Sequence, residues 1–223
     1  MATFKGEIKA RVVEIRFALS GKIAGVSKHA GEAVKKWNLV ASLDRKILQM
    51  ELDKQLSDYE KVRADWEIFG QKNPNPTEAI DKYLKTEKQA LLNVSVKEVE
   101  LAKAKLDQAD LFSPVDGIII DDNGIVPGLY VTPASSSIKI VDTSSYYFEF
   151  EVEQKEVSDF IKSKKCKVEI VGVKEKTEAY TLPVFSDGKK FLVKVELLKT
   201  DGLLLGMKGE CKIQVPNPKN NRR

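Results

Sequence analysis

The run Leu106-Asp107-Gln108-Ala109-Asp110-Leu111-Phe112-Ser113-Pro114-Val115-Asp116-Gly117-Ile118-Ile119-Ile120 divides the chain into two kinds of structure. Residues 44–112, ahead of the division, carry apolar side chains at helical spacing. From Ser113 onward, short apolar runs such as Gly117-Ile118-Ile119-Ile120 and Ile138-Lys139-Ile140-Val141 read as strands.

The helical zone holds one glycine and two prolines, all within residues 70–76. Upstream, Leu48, Leu52, Leu56, Tyr59, Val62, Trp66 and Phe69 average 3.5 residues apart, the period of a coiled-coil seam. Gly70-Gln71-Lys72-Asn73-Pro74-Asn75-Pro76 stops that helix. A second helix is expected to start with Asn75 as N-cap, Pro76 at the first helical position and Glu78 reaching back to the cap. It shows two stripes, one through Ile80, Leu84 and Leu91, the other through Leu92, Val96, Val99, Ala102, Leu106 and Ala109. Ser95 and Glu98 match a capping box, so the helix either breaks near residues 93–95 or runs through with a stutter. Two apolar-seamed helices on a short loop make an antiparallel hairpin. Its 12 basic and 13 acidic residues over 45–112 nearly cancel, which describes a solvated coiled coil and excludes a basic nucleic-acid grip.

Outward from the hairpin the chain is β-rich on both sides. Residues 7–17 alternate as one half-buried strand. Residues 146–152, 167–173, 177–184, 190–198 and 209–215 read as strands, 156–164 as a short helix, and 217–223 as a disordered tail. The flanking segments resemble each other. Gly21-Lys22-Ile23, Gly31-Glu32-Ala33-Val34 and Leu43-Asp44 match Gly117-Ile118-Ile119, Gly128-Leu129-Tyr130-Val131 and Val141-Asp142 at nearly equal spacing. Two copies of one unit, each too small to bury a core alone, should pack together, with the hairpin inserted between them.

Composition limits the chemistry. The 223 residues are 42% hydrophobic and 31% charged, a globular balance. A net charge of +4 spread over that length does not describe a nucleic-acid surface. One histidine and two cysteines exclude most zinc sites and histidine-based catalysis. No nucleophile–base pair, phosphate loop or metal motif is present, and no apolar run is long enough to span a bilayer. Residues 1–10 lack the apolar core of a signal peptide, so the chain is either cytosolic or follows a removed leader or anchor.

Ser20-Gly21-Lys22-Ile23, Gly31-Glu32-Ala33-Val34-Lys35-Lys36 and Leu39-Val40-Ala41-Ser42-Leu43-Asp44 resemble the first half of the split lipoyl domain of membrane-fusion proteins, the HlyD-like periplasmic adaptors. Leu111-Phe112-Ser113-Pro114-Val115-Asp116-Gly117-Ile118 resembles their return from the hairpin into the second half. Leu205-Gly206-Met207-Lys208-Gly209 resembles the start of the last strand of their β-barrel domain. Trp37 departs from the glycine usual after the paired lysines. Arg63, Glu67 and Pro74 depart from the arginine, leucine and serine pattern with which some adaptors dock outer-membrane channels.

The resemblance implies a mainly β fold with an inserted α-helical coiled-coil hairpin: a split lipoyl-like (barrel-sandwich hybrid) domain over 5–43 and 113–142, the hairpin over 44–112, and a small β-barrel domain over 143–216. It implies a non-enzymatic adaptor subunit of an efflux or secretion transporter, without a cofactor. The adaptor would work outside the cytoplasmic membrane, held there by an N-terminal anchor ahead of these residues. Its expected partners are a membrane permease, copies of itself in a ring, and a further envelope component at the hairpin tip, with no nucleic acid. The residues alone also admit a hairpin-bearing structural or chaperone-like cell-envelope binding protein without a transporter.

The expected partner site is the tip: Trp66, Phe69, Gln71, Lys72, Asn73 and Asn75. At ~1.5 Å per residue it stands roughly 39 Å from the sandwich. Cys166 and Cys211 fall on strands of one domain and are candidates for a disulfide, or are two free buried thiols. No lysine stands in a Met-Lys-Met or Asp-Lys-Ala setting, as a lipoyl or biotinyl carrier would need. His29 reads as a loop histidine, Tyr146, Phe148 and Phe150 as a core strand, and Asp121-Asp122-Asn123-Gly124 as a type I′ turn. Lys162-Ser163-Lys164-Lys165 reads as a solvated helix end.

Overall fold

A computed structural model describes residues 2–75, 77–173, 177–198 and 202–213. In chain order the first strands are β1 (Ala2–Lys9), β2 (Val12–Ile15), β3 (Gly21–Val26), β4 (Ala33–Val34) and β5 (Leu39–Leu43). Two helices follow, α1 (Lys46–Lys72) and α2 (Ala79–Asp107). The chain then returns through β6 (Asp110–Phe112), β7 (Gly117–Asp121), β8 (Tyr130–Val131), β9 (Ile138–Asp142) and β10 (Tyr147–Val152). Last come β11 (Lys165–Ile170), β12 (Thr177–Thr181), β13 (Phe185–Ser186), β14 (Phe191–Leu197) and β15 (Lys208–Ile213). The molecule is mainly β, with one helical hairpin between two β regions.

The duplicated segments form a sandwich with pseudo-twofold exchange. One sheet has the order β2-β9-β7-β4, the other β6-β5-β3-β8. Each half places its short strand in the other half's sheet: β4 pairs with β7, and β8 with β3. The backbone bonds repeat. The Gly31 amide donates to Ile119 O and the Gly128 amide to Ile23 O, both at 2.8 Å, and the Ile119 and Ile23 amides donate back to Glu32 O and Leu129 O. Gly31 and Gly128 share a left-handed φ, 90° and 93°, which only glycine adopts without strain. Ile23, Val40, Leu43 and Val131 from one sheet meet Val34, Ile119, Ile138 and Ile140 from the other in one buried core.

Strands β10, β1, β15, β11, β12 and β14 close into a six-stranded antiparallel barrel through the β10–β14 pairing, with β13 added beside β14. Phe148, Phe150, Phe160, Val168, Val193, Val195 and Ile213 fill it, with Phe4 stacked on Phe150 at 4.9 Å.

Several expectations need correction. Residues 7–17 are not one strand, and 5–9 do not join the sandwich: β1 pairs with β10 and β15, because Ile8 alternates into the barrel core while β2 turns away to β9. Residues 110–112 are strand, since β6 pairs with β5. In place of a helix over 156–164, a 3-10 helix spans Gln154–Phe160, opened by a reciprocal Glu153–Glu156 capping box. Asn75 does not cap α2. Glu78 is the cap residue, extended at φ −73° and ψ 149°, and its carbonyl accepts the Lys82 amide. Gly70, Gln71 and Lys72 still belong to α1. Helix α2 runs unbroken through residues 93–95, where the Ser95 hydroxyl donates to Leu92 O within the helix and the side chain is buried. Cys166 and Cys211 are both free: Cys166 lies opposite Ile213 and Cys211 opposite Val168, so the thiols sit on one face two residues out of step. The end of the 209–215 strand, Pro76 and the 217–223 tail lie outside the described residues.

Candidate functional site

The hairpin springs from the sandwich core. The Leu43 amide donates to Ala109 O and the Asp44 amide to Lys22 O, both 2.8 Å, so the strand ends are tied together where the chain leaves and returns. The Asp44 carboxylate accepts the Lys46 amide at 3.0 Å at the start of α1. Arg45 reaches across to Asp110, and nearly two turns higher Lys105 pairs with Glu51 at 2.9 Å.

Along the hairpin, Leu48, Leu52, Gln55, Tyr59, Val62, Trp66 and Phe69 are the half-buried face of α1. Their spacing alternates four and three, with Gln55 in the seam instead of the exposed Leu56. Leu92, Ser95, Val99, Ala102 and Leu106 answer from α2. Near the tip the seam becomes polar on the α2 side: Trp66 borders a cleft of about 370 Å³ with Lys85, Thr86, Gln89, Ala90 and Asn93.

The expected tip residues divide into two groups. Trp66 and Phe69 are half-buried and stacked on each other, centroids 6.4 Å apart and planes 24° apart. Asn73 ends α1, its amide donating to Phe69 O at 2.9 Å and its side-chain amide approaching the same oxygen at 3.4 Å. Gln71, Lys72 and Asn75 are exposed. Arg63 is held along its own helix by Glu67 at 2.9 Å.

Helix α2 also carries a second stripe on its outer face. Ile80, Leu84, Leu91, Val94 and Leu101 are all exposed, Leu101 by 59%. The Ile80-Leu84-Leu91 part was legible as a stripe. Its continuation to Val94 and Leu101 was missed, although heptad steps from Ile80 lead to both by way of Glu87.

At the far end of the sandwich from the hairpin, Trp37 holds φ 68° in the turn between β4 and β5 and is 71% exposed. Its amide donates to Ser113 O at 2.7 Å, and the neighbouring Lys36 amide to the Asp116 carboxylate at 2.7 Å. The turn therefore keeps a glycine-like backbone while presenting an indole. His29 lies 3.4 Å from Asp122 and is mostly exposed. Burial opposes ionisation of Asp122, but amide donors from Gly124 and Ala30, with His29, hold its carboxyl below the usual range. Asn123 and Gly124 have φ of 53° and 64°, as a type I′ turn requires. In the lysine cluster, Lys164 sits over the Phe160 ring and Lys165 pairs with Glu178 at 2.8 Å. Among the described residues no group of three His, Cys, Asp or Glu side chains is placed to hold a metal, and no helix is long and apolar enough to cross a membrane.

No family model and no curated protein matches the sequence. Solved structures do. A chimeric MacA–MexA protein containing the Pseudomonas aeruginosa MexA α-hairpin domain superposes with TM-score 0.82 at 19% identity, over 97% of this chain and 82% of that one. The chain has the membrane-fusion-protein fold. The membrane fusion protein Spr0693 of Streptococcus pneumoniae R6 matches 97% of this chain with its full length, at TM-score 0.78 and 11% identity. The periplasmic adaptor protein EmrA matches 96% of this chain and 97% of its own, at TM-score 0.53 and 18% identity. The exposed apolar side chains of this fold extend from the Trp37 turn to the outer stripe of α2.

Proposed function

We propose that the chain is a non-enzymatic adaptor subunit of a transmembrane efflux or secretion transporter, working on the outer side of the cytoplasmic membrane. The observation that carries this reading is the arrangement of modules: a long helical hairpin inserted between the two halves of one pseudo-twofold sandwich, with a closed barrel behind it. Such a hairpin adds little core to the body, because no side chain of α1 is buried. Its value lies in reach and in the surfaces it presents. The likeness to membrane fusion and adaptor proteins over nearly the whole chain supports the same reading.

The adaptor associates with copies of itself through sandwich and hairpin, and contacts a permease. The outer stripe of α2 supports side-by-side packing of hairpins: five aliphatic residues at heptad spacing are costly to leave in water along a helix of this length. The tip, with Gln71, Lys72 and Asn75 exposed, is available to a further envelope component.

The test is recovery of the tagged chain from its native cells after mild cross-linking and membrane solubilisation. A polytopic permease should co-purify in fixed proportion, and deletion of the gene should abolish export of that permease's cargo. Recovery with soluble partners alone, or export unaffected by the deletion, would sink the proposal.

A further inference from the structure

We infer that the tip half of α2 is a rotary switch with two seams: one leaves Ile80, Leu84 and Leu91 facing outward, the other folds them against Trp66 and Phe69 of the same hairpin. Three observations meet in α2. First, its two halves are packed unequally. The buried side chains of α2 are Ser95 and Ala102, both in the root half. In the tip half the seam positions fall on Asp81, Lys85 and Lys88, of which Asp81 and Lys88 are half-buried and Lys85 is exposed. Across the seam stand the stacked rings of Trp66 and Phe69, and beside Trp66 the seam opens into the cleft that Lys85 borders. Large aromatic side chains here meet a charged surface.

Second, the aliphatic side chains that this part of the seam lacks stand one residue away. Ile80, Leu84 and Leu91 each precede a seam position, Asp81, Lys85 and Leu92, so they lie about 100° around the helix and are exposed. Third, the turn between the two halves can take up that difference. A π-bulge holds one extra residue in a single turn and rotates the helix ahead of it by that step. Placed at residues 88–92, it brings Ile80 to the position of Asp81, Leu84 to that of Lys85 and Glu87 to that of Lys88, with Leu91 beside Leu92 at the join. The bulge leaves a backbone carbonyl without its amide. Donors stand close by: the Gln89 side-chain amide, bonded to Asn93 at 3.1 Å, and the Ser95 hydroxyl, on Leu92 O at 2.8 Å. The root half stays where the Arg45–Asp110 and Lys105–Glu51 pairs hold it. Rotation withdraws three of the five residues of the outer stripe. Where the hairpin serves as the docking arm of the reading above, on which this consequence rests, a partner that covers the stripe holds α2 in the outward form, and an unoccupied arm closes on itself.

Deleting Ala90 removes the extra residue, so an unbroken helix then carries the second seam. The protein has two tryptophans, and Trp37→Phe leaves Trp66 as sole reporter. In that background the deletion should shift Trp66 emission to the blue, keep helicity and raise the midpoint of the hairpin transition. Leu84→Cys should react with a water-soluble maleimide in the undeleted chain, where Cys166 and Cys211 are buried, and should be protected about tenfold or more by the deletion. Without the deletion, methyl relaxation dispersion should show one shared exchange at Ile80, Leu84 and Leu91 and none at Val99 and Leu106, with minor-state shifts matching those of the deletion variant. A deletion that lowers the midpoint and leaves Leu84→Cys reactive would overturn the second seam. Flat dispersion at Ile80 and Leu84 would overturn the switch, however well the deletion variant folds. Either failure leaves the adaptor reading standing, and failure of a permease to co-purify leaves the measured exchange standing.

Discussion

Arg45 and Asp110 form an ion pair that bolts the root of α1 to the first strand after α2: the Arg45 guanidinium donates to one carboxylate oxygen of Asp110, and the other oxygen is buried without a partner. The hairpin is otherwise joined to the sandwich by backbone bonds and by Leu48, which packs against the sandwich core. Replacing Asp110 with Asn retains a hydrogen-bond acceptor but loses the charge.

Asp110→Asn should therefore cost roughly 1–3 kcal/mol, and the loss should concentrate at the hairpin root. Hydrogen exchange of residues 44–50 and 104–110 should quicken more than that of the barrel. Uniform acceleration across the molecule would mean that the pair contributes only to global stability.

The glycine of Ser113-Pro114-Val115-Asp116-Gly117 has a steric reason to be there. A Cβ at Gly117 would lie 2.1 Å from Val141 O and 2.8 Å from a methyl of Ile140. Gly117→Ala should destabilise by roughly 1–3 kcal/mol, because β7 must move off β9. Gly70 is the contrast: it is helical, and beyond the adjoining backbone of its own helix no atom of the described residues lies within 4 Å of its Cβ position. Gly70→Ala should stabilise by about 0.5–1 kcal/mol. Equal effects of the two changes in chemical denaturation would refute the steric account.

Acid should weaken the junction between sandwich and barrel. Asp142 is almost fully buried. Burial raises its pKa, but the Ser144 hydroxyl, Arg11 and the Ser144 amide more than offset that, so the native carboxyl ionises below the usual range. The unfolded chain takes up the proton first as pH falls, so this stabilisation is complete above the ordinary aspartate pKa of ~3.9. It is then lost as pH drops through the depressed native value. Unfolding free energy measured from neutral pH downward should fall below about pH 4. Asp142→Asn should flatten that limb and cost roughly 1–3 kcal/mol at neutral pH. A variant with the wild-type acid slope would place the titration elsewhere.

What the sequence disclosed follows the physics of each signal. The duplication was readable because Gly31 and Gly128 answer one backbone demand, and Gly21 and Gly117 occupy matching register positions opposite Val131 and Val34. The seam was readable from its 3.5-residue period, although Gln55 displaced Leu56, since helix rotation is set by all seven positions together and not by the most apolar choice at one. The start of α2 was misread because Asn75-Pro76 obeys the local capping rule, while the helix begins where Glu78 first offers its carbonyl. Membership of β1 in the barrel was not legible: alternation marks a strand but does not name the sheet it joins, and the pairing partners lie 138 or more residues away. For Trp37, the departure from glycine was visible in the sequence, but its left-handed backbone and exposure were not.

The tip separates structure from docking through two kinds of asparagine. Asn73 has a structural duty, because its amide and side chain both engage Phe69 O at the end of α1. An aspartate there would set a negative charge against the helix C-terminus and fray the last turn. Gln71 and Asn75 are exposed. Gln71→Arg, whose charge suits the end of α1, with Asn75→Asp beyond the helix should leave helicity and thermal midpoint within measurement error while export falls, if the tip meets a partner. Trp66→Ala should act in the opposite way: the Trp66–Phe69 stack closes the seam, so the midpoint of the hairpin transition should drop by an amount consistent with roughly 1–3 kcal/mol, whatever the partner. Normal export from a correctly localised, folded Gln71→Arg/Asn75→Asp protein would remove the loop as a docking site and leave the outer stripe of α2 as the hairpin's contact surface.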